Sequence, residues 1–320
     1  MFHGLLAFVA LVASAVAGPA LQPSPIDDES YAETYTAVAS LEDGSFVLMQ
    51  FLFTNAGFGD RKGACRALWV PPGKTGINAS ANASKSEWSY DGSKRTLTVG
   101  PCHLGAFGDG LRFVANLDGL SITLQMKGKA RTIRPPDNRI NVGDGFYESD
   151  IVVARADAKA TIRAGGKTLI KSGAVHLDHS RSNTLLPKVA SCWMRFRGFS
   201  GAEPALLQVR LPAGSTAPKA WAWPLSTAAP AAVPSSAVKV GKASGGMPQF
   251  TVGAYAVKPT RTVYRYRPTE AYGALGKLAA PWIGDPTTTT YRASATGPGG
   301  VQITGILEVS EIVENGCRAQ

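Results

Sequence analysis

The sequence predicts an all-β protein made of two antiparallel β-barrels in tandem. Short apolar or alternating runs recur along the chain with turn signals between them, and almost no segment has a helical period. The 320 residues include 35 glycines and 21 prolines, which favours many turns. Strands spaced in this way are typical of sandwiches and barrels. The length suits two domains, which we place at 31–185 and 186–320.

The composition is that of a globular protein with a sizeable core. Hydrophobic residues make up 44% of the chain and charged residues 18%. The formal net charge is +10, so an anionic membrane surface is one candidate partner. The basic residues are scattered and form no recognisable nucleic-acid module, so we do not expect nucleic acid as a partner.

The first 17 residues have the features of a signal peptide. An uncharged apolar run at 5–16 ends in Ala-Val-Ala at 15–17, a small-x-small cleavage pattern. Residues 18–30 contain three prolines and are predicted to be a mobile leader. The mature protein is therefore predicted to be secreted or periplasmic.

Four cysteines follow the signal peptide, and export permits disulfides. We predict Cys65–Cys102 and Cys192–Cys317, because each pair then lies within one half of the chain. Four buried free thiols are the alternative. The sequence contains no Cys-x-x-Cys, so zinc and thioredoxin-type sites have little support.

In the first half, the alternation predicts strands and hairpins. The segment 120–126 alternates completely between apolar and polar residues, which is typical of a sheet with one face in water. Asn78 and Asn82 begin glycosylation sequons, which we expect in a polar loop. The predicted strands and hairpins are at 31–40, 45–54, 64–70, 88–99, 111–126, 151–154, 160–164 and 167–171.

The second half has the same character, with one long interruption. Residues 212–236 are rich in Ala, Pro and Ser and are predicted to be a loop pinned by Trp221 and Trp223. These two tryptophans could instead cap a ligand entrance. A weak helix is predicted at 270–279. The predicted strands are at 191–199, 205–211, 250–257, 262–267 and 301–309.

The stretch 173–183 holds two of the four histidines with a carboxylate between them. In an extended chain His176 and Asp178 share one face, and His179 lies on the other. The pair could be a general acid with its orienting partner. It could equally be a buried, hydrogen-bonded polar pair. We expect this stretch at the contact between the barrels, shielded from water.

A metal site is a third hypothesis for the same stretch. His176-x-Asp178 resembles part of a two-His-one-carboxylate site, whose second histidine would have to be His103. The sequence has no Gly-x-Ser-x-Gly, no His-Glu-x-x-His and no glycine-rich phosphate loop. We therefore predict no cofactor and no resident metal.

Several short motifs together resemble the two-lipocalin family of yeast survival-factor proteins and hydroxyneurosporene synthase-type carotenoid hydratases. In the central stretch the matching pair is Asp178-His179, and Trp193 resembles a tryptophan of the family that follows it. The other matching segments are 42–44, 46–50, 55–57, 64–65, 71–73, 87–89 and 100–102. The resemblance implies two tandem lipocalin-like barrels, each able to enclose an apolar ligand.

The resemblance implies two functions. One is an exported binding or carrier protein for a hydrophobic ligand such as a lipid or isoprenoid, with a role in stress, in which Trp193, Trp221 and Trp223 contact the ligand. The other is a carotenoid or terpenoid hydratase- or cyclase-like enzyme, in which Asp178 with His176 or His179 protonates a double bond. The hydratase branch has Asn-Trp-Gly after the Asp-His pair, whereas this chain has Ser-Arg-Ser at 180–182, which favours the carrier.

Overall fold

Two antiparallel sheets, one from each half of the chain, curl into two nearly closed barrels. A computed structural model describes residues 20–55, 60–243, 245–267 and 286–317. The predicted signal peptide and the predicted helix at 270–279 lie outside the described residues. No helix in the described part is long and apolar enough to cross a membrane.

The first barrel has eleven strands along its sheet, in the order β4-β3-β2-β1-β12-β11-β9-β8-β7-β6-β5, and β10 pairs with β11 outside that path. A 3-10 turn, Lys85–Glu87, leads from one end strand toward the other. The strands are β1 Ala32–Leu41, β2 Phe46–Thr54, β3 Lys62–Val70, β4 Ile77–Ala83, β5 Trp88–Asp91, β6 Thr96–Val99, β7 Cys102–Phe107, β8 Gly110–Leu117, β9 Leu120–Met126, β10 Arg139–Val142, β11 Gly145–Ala164 and β12 Lys167–Ser182.

The second barrel has nine strands in the order β16-β15-β14-β13-β21-β20-β19-β18-β17. A single helical turn, α1 Leu186–Val189, joins it to the first. Two further 3-10 turns are Ser235–Ala237 and Pro298–Gly300. The strands are β13 Ala190–Ser200, β14 Ala205–Pro212, β15 Lys219–Pro224, β16 Ala231–Val233, β17 Val238–Lys242, β18 Pro248–Val252, β19 Tyr255–Tyr266, β20 Thr287–Thr296 and β21 Gln302–Glu311.

Strands β11 and β12 are much longer than the short strands predicted for this region. A two-glycine turn joins them, and both Gly165 and Gly166 have positive φ (55° and 74°), which glycine adopts without strain. The two strands pair along their length with register shifts near Val153. The stretch 173–183, which we considered as an extended chain, lies in one continuous strand, β12, except for Asn183.

Two segments predicted to be loops contain strands. The sequon region forms β4 on the outer edge of the first sheet, paired with β3. Within 212–236, Trp221 and Trp223 lie on β15, which pairs with β14 and with β16. The loop prediction is wrong for these residues, because pairing with a neighbouring strand outweighs the weak strand preference of Ala, Ser and Asn.

Both predicted disulfides are present. Cys65 on β3 is bonded to Cys102 on β7, and Cys192 on β13 is bonded to Cys317. No free cysteine occurs among the described residues. Paired cysteines are typical of proteins in oxidising compartments. Export itself stays a prediction.

The part of the predicted leader that the structure describes packs on the first barrel. Leu21 is buried in the barrel's apolar cluster. The backbone N–H of Ser24 donates to the Glu33 carboxylate at 3.0 Å. The side-chain amide of Asn55 donates to the carbonyls of Ile26 and Asp28. Residues 20–30 therefore differ from the predicted mobile segment, because their backbone finds partners on the barrel.

The contact between the barrels includes the outer faces of β1, β2, β3 and β12 in the first and of β13, β19, β20 and β21 in the second. One side of this contact is apolar and includes Val38, Phe199 and Ile306. Beside it, Arg292 of β20 donates to the backbone carbonyls of Gly44 (2.7 Å) and Ser45 (2.8 Å). The other side of the contact is polar, and it is there that the central stretch lies.

Candidate functional site between the two barrels

Strand alternation places the central stretch on two different surfaces. Val175, Leu177 and His179 point into the first barrel, whereas His176 and Asp178 point out toward the second. Only 4% of His176 and 6% of Asp178 is exposed, so the facing barrel shields both from water. The predicted face sharing and placement between the barrels are observed.

Asp178 is the centre of a charged cluster that spans the contact. Arg197 on β13 donates to its carboxylate at 2.9 Å. His176 Nε2 lies 3.4 Å from the same oxygen. Arg197 also lies 3.6 Å from Glu308 on β21, and Arg195 lies 3.9 Å from Glu308. The first barrel thus contributes an acid and a histidine, and the second contributes two arginines and an acid.

The environment shifts the pKa values of the central pair. Burial opposes ionisation of Asp178, but the His176 ring and the charges of Arg197 and Arg195 outweigh it and hold the pKa well below its ordinary value. Burial lowers the pKa of His176, and Arg197 adds to this, whereas Asp178 opposes it. At neutral pH the pair is therefore a carboxylate beside a neutral imidazole.

Two cavities adjoin this cluster. A small one of about 30 Å³ is lined by residues that include His176, Asp178, Trp193, Arg197 and Trp221. A larger one of about 210 Å³ also includes Asp178, Trp193 and Arg197 in its lining. Because these three residues line both, we treat the two cavities as parts of one cleft between the barrels.

The larger cavity has a mixed lining. Its apolar and aromatic residues include Leu48, Leu52, Leu186, Tyr266 and Ile312. Its hydroxyl-bearing residues include Thr34, Thr36, Ser180, Ser182, Thr184, Thr288 and Ser310, and its charged residues are Asp178, Arg181, Arg195, Arg197 and Glu308. The interiors of the two barrels, in contrast, are packed with buried side chains. The ligand expected inside each barrel is therefore better accommodated between them.

The three predicted tryptophans take different positions. Trp193 lines both cavities and packs against Tyr147 with ring centroids 4.7 Å apart. Trp221 lines the small cavity. Trp223 lines neither, and its indole N–H donates to the carbonyl of Thr227 at 3.0 Å. The predicted role as a ligand contact stays a proposal for the first two and has no geometric support for the third.

His179 belongs to a separate buried cluster inside the first barrel. Its ring stacks on Tyr35 with centroids 4.4 Å apart, and its Nε2 lies 2.7 Å from the Glu33 carboxylate. Glu33 is fully buried and also accepts the phenol O–H of Tyr31 at 2.6 Å. His179 therefore cannot share a reaction with Asp178, whose side chain points to the opposite face.

Replacing Glu33 with Gln should lower the free energy of unfolding by about 1–3 kcal/mol, the usual cost of leaving buried donors unpaired. The NH₂ group of the glutamine would replace a carboxylate oxygen that now faces Tyr31, Ser24 and His179. Donors would then face donors, and at least one would lose its acceptor. Chemical denaturation measures the effect, with the exposed Glu29→Gln as the matched control. Equal stability of the two variants would contradict a structural role for the buried carboxylate.

The sequence reasoning missed the partners in the second barrel. Arg195 and Arg197 alternate with the inward-facing Met194 and Phe196, so both arginines point out of the second barrel toward the first. Two arginines on one face of an otherwise apolar strand were the available signal. Glu308 had no comparable signal, because single polar residues in strands are common.

Among the described residues, no group of three or more His, Cys, Asp and Glu side chains could hold a metal ion. His103 lies on β7 of the first barrel and pairs there with Val114 of β8. His176 lies on β12 and faces the second barrel. The two-His-one-carboxylate hypothesis is therefore not supported by these residues.

The chain folds into two tandem lipocalin-like barrels with a polar site between them. Solved structures share this fold. An AttH-like protein from Nitrosomonas europaea matches with a TM-score of 0.61 and 12% identity, over 88% of this chain and 92% of that one. Kievitone hydratase from Nectria haematococca matches with a TM-score of 0.56 and 10% identity, over 89% and 90%.

A third similar structure is CghA with Sch210972, with a TM-score of 0.56 and 13% identity over 88% of both chains. These matches confirm the predicted two-barrel architecture. At such identities the likeness concerns the fold. No protein-family model matches the sequence, and neither does any curated protein.

Proposed function

We propose that this chain is an enzyme that binds a small, largely apolar molecule between its barrels and moves a proton on it. The reactions that fit are the addition or removal of water and ring closure. The observation that carries the proposal is the buried cluster of His176, Asp178 and Arg197 on the wall of a cleft. A hydratase is among the structures that share the fold, which supports this function over that of a carrier.

His176 is suited to accept a proton. Its Nδ1 lies 3.0 Å from the carbonyl oxygen of Ala154, and its Nε2 faces the Asp178 carboxylate. A neutral imidazole has a single N–H and can satisfy only one of these two acceptors. A second proton would satisfy both. Burial thus keeps the ring neutral at rest, and the two acceptors offset part of the cost of protonating it, which suits a general base.

Asp178 is suited to orient and stabilise that histidine. The predicted role of Asp178 as the acid that protonates a double bond does not fit the geometry, because Arg197 keeps the carboxylate ionised. A general acid in a barrel would need a raised pKa instead. The proposed base is therefore His176, and Asp178 is its positioning residue.

The cleft sets a limit on the ligand. Its larger cavity of about 210 Å³ is below the roughly 300–1,000 Å³ of drug-sized ligand pockets. A small molecule fits within it, whereas a lipid or long isoprenoid would place only one end there. The lining includes both hydroxyl groups and leucines, which favours a ligand that is partly polar and partly apolar.

Turnover in D₂O tests the proposal. The full chain is incubated with small apolar molecules that carry a C=C bond or a weakly acidic C–H, and mass spectrometry records deuterium uptake or gain of water. We expect at least one molecule that quenches the tryptophan fluorescence to be converted. The rate should fall only at a pH below the ordinary histidine pKa of about 6.5, because burial lowers the pKa of His176 and protonation removes the base. Ligands that bind and stay unchanged would instead indicate a carrier.

A further inference from the structure

Three buried N–H groups on the small cavity's lining residues have no hydrogen-bond partner among the described residues. They are the indole nitrogens of Trp193 and Trp221 and Nη1 of Arg197, and this Nη1 lies 3.6 Å from the Glu308 carboxylate, in an ion pair longer than a hydrogen bond. The exposed fractions of these residues are only 5%, 7% and 3%. Buried donors are nearly always paired in native structures, so the two unpaired indole N–H groups point to a missing acceptor.

Three of the neighbouring acceptor atoms are already engaged. The Oε1 atom of Gln208 accepts from Arg195 Nε at 3.1 Å, and the hydroxyl of Tyr147 accepts from Arg195 Nη2 at 3.0 Å. Asp178 Oδ2 accepts from Arg197 Nη2. None of these bonds involves either indole N–H. The small cavity's volume of about 30 Å³ is enough for roughly one oxygen-sized group.

We infer that the small cavity binds a carbonyl oxygen of the substrate, with Trp193, Trp221 and Arg197 as donors, while the apolar remainder lies in the larger cavity. This inference rests on the proposed function and names its substrate class: small apolar ketones and conjugated enones. The cluster contains two arginines and two carboxylates, so its charges balance. A neutral oxygen that gains negative charge only during reaction suits such a site better than a permanent anion.

The donors would then serve the proton transfer directly. When His176 removes a proton from the carbon next to the carbonyl, the C–H electron pair forms a C=C bond. The π pair of the carbonyl moves to oxygen, and the resulting enolate is held by the three donors. The proton resides on the imidazole and returns to carbon, or solvent supplies a deuteron in its place. Addition of water to an enone forms an enolate at the same donors: His176 takes a proton from the attacking water, the water oxygen bonds to the β-carbon, and the π electrons move to the carbonyl oxygen. The α-carbon then takes the proton from the imidazole.

A pair of isosteric probes tests the inference by binding alone. Acetophenone and α-methylstyrene have nearly the same shape, but the first has C=O where the second has C=CH₂. We expect the full chain to bind acetophenone at least about ten-fold more tightly, as two or three hydrogen bonds to one oxygen would give. The carbonyl stretching band of isotope-labelled acetophenone should move below its position in hexane when the ketone is bound.

Single substitutions assign the donors. Trp193→Phe and Trp221→Phe each remove one N–H and keep most of the apolar surface. Each should weaken acetophenone binding by roughly two- to ten-fold and leave α-methylstyrene binding unchanged. Trp223→Phe is the matched control, because the indole of Trp223 is bonded to Thr227 outside the cleft.

Each outcome of these measurements either supports or overturns the inference. Equal affinity for the two probes, or a carbonyl band at its hexane position, would overturn the inference and leave binding in the cleft intact. Equal affinity is also the result expected if only water occupies the small cavity. Failure of both probes to bind would overturn the cleft as a ligand site and the inference with it. The band position is measured on the unsubstituted protein, so the test stands even if a variant fails to fold.

Discussion

Replacing His176 with Gln should lower the rate of proton transfer by about 10²–10⁴-fold, the usual contribution of a general base. Glutamine can still donate to the Ala154 carbonyl and fills a similar space, but it cannot take up a proton near neutral pH. The measurement is deuterium uptake by the panel member that exchanges fastest with the unsubstituted protein. Binding of the same molecule, followed by tryptophan fluorescence, should change little.

His103→Gln is the matched control for this prediction. His103 lies on β7 of the first barrel, away from the cleft, and is only partly buried. Its replacement should leave the exchange rate unchanged. An exchange rate that survives His176→Gln, or that falls equally in both variants, would contradict the assignment of the base.

Replacing Arg197 with Met should destabilise the protein by about 3–5 kcal/mol, the cost of leaving one member of a buried ion pair without its partner. The Asp178 side chain is only 9% exposed, and Arg197 is the cation that bonds to it at 2.9 Å. Denaturant titration of the folded chain measures the loss. Lys85→Met should have little effect, because Lys85 pairs with Asp60 on the surface, where both side chains are more than half exposed.

The double replacement Asp178→Leu with Arg197→Met separates the pair energy from packing. If the loss in Arg197→Met comes from an uncompensated carboxylate, removing that carboxylate as well should restore much of the stability. A double variant that is as unstable as the sum of the two single ones would show that the charges do not interact as the 2.9 Å contact implies.

Local sequence determined much of the fold. Alternation of apolar and polar side chains needs only neighbouring residues, so the strands around 31–54, 64–70 and 111–126 were predictable. The disulfide pairs followed from their division between the two halves of the chain. Strand β4, at the edge of its sheet, and strand β15, next to the edge strand β16, were not predictable. Both contain residues of weak strand preference and form because an adjacent strand offers its backbone hydrogen bonds.

For the site, the sequence by itself determined that His176 and Asp178 share a face and that His179 does not, because a strand has a period of two. Only the tertiary structure decided what that face meets. The partner Arg197 lies on β13, the next strand along the chain but part of the second barrel. Glu308 lies on β21, more than a hundred residues later in the chain. Sequence spacing cannot reveal which strands two barrels present to each other, and that contact turns a polar pair into a buried carboxylate beside a neutral base.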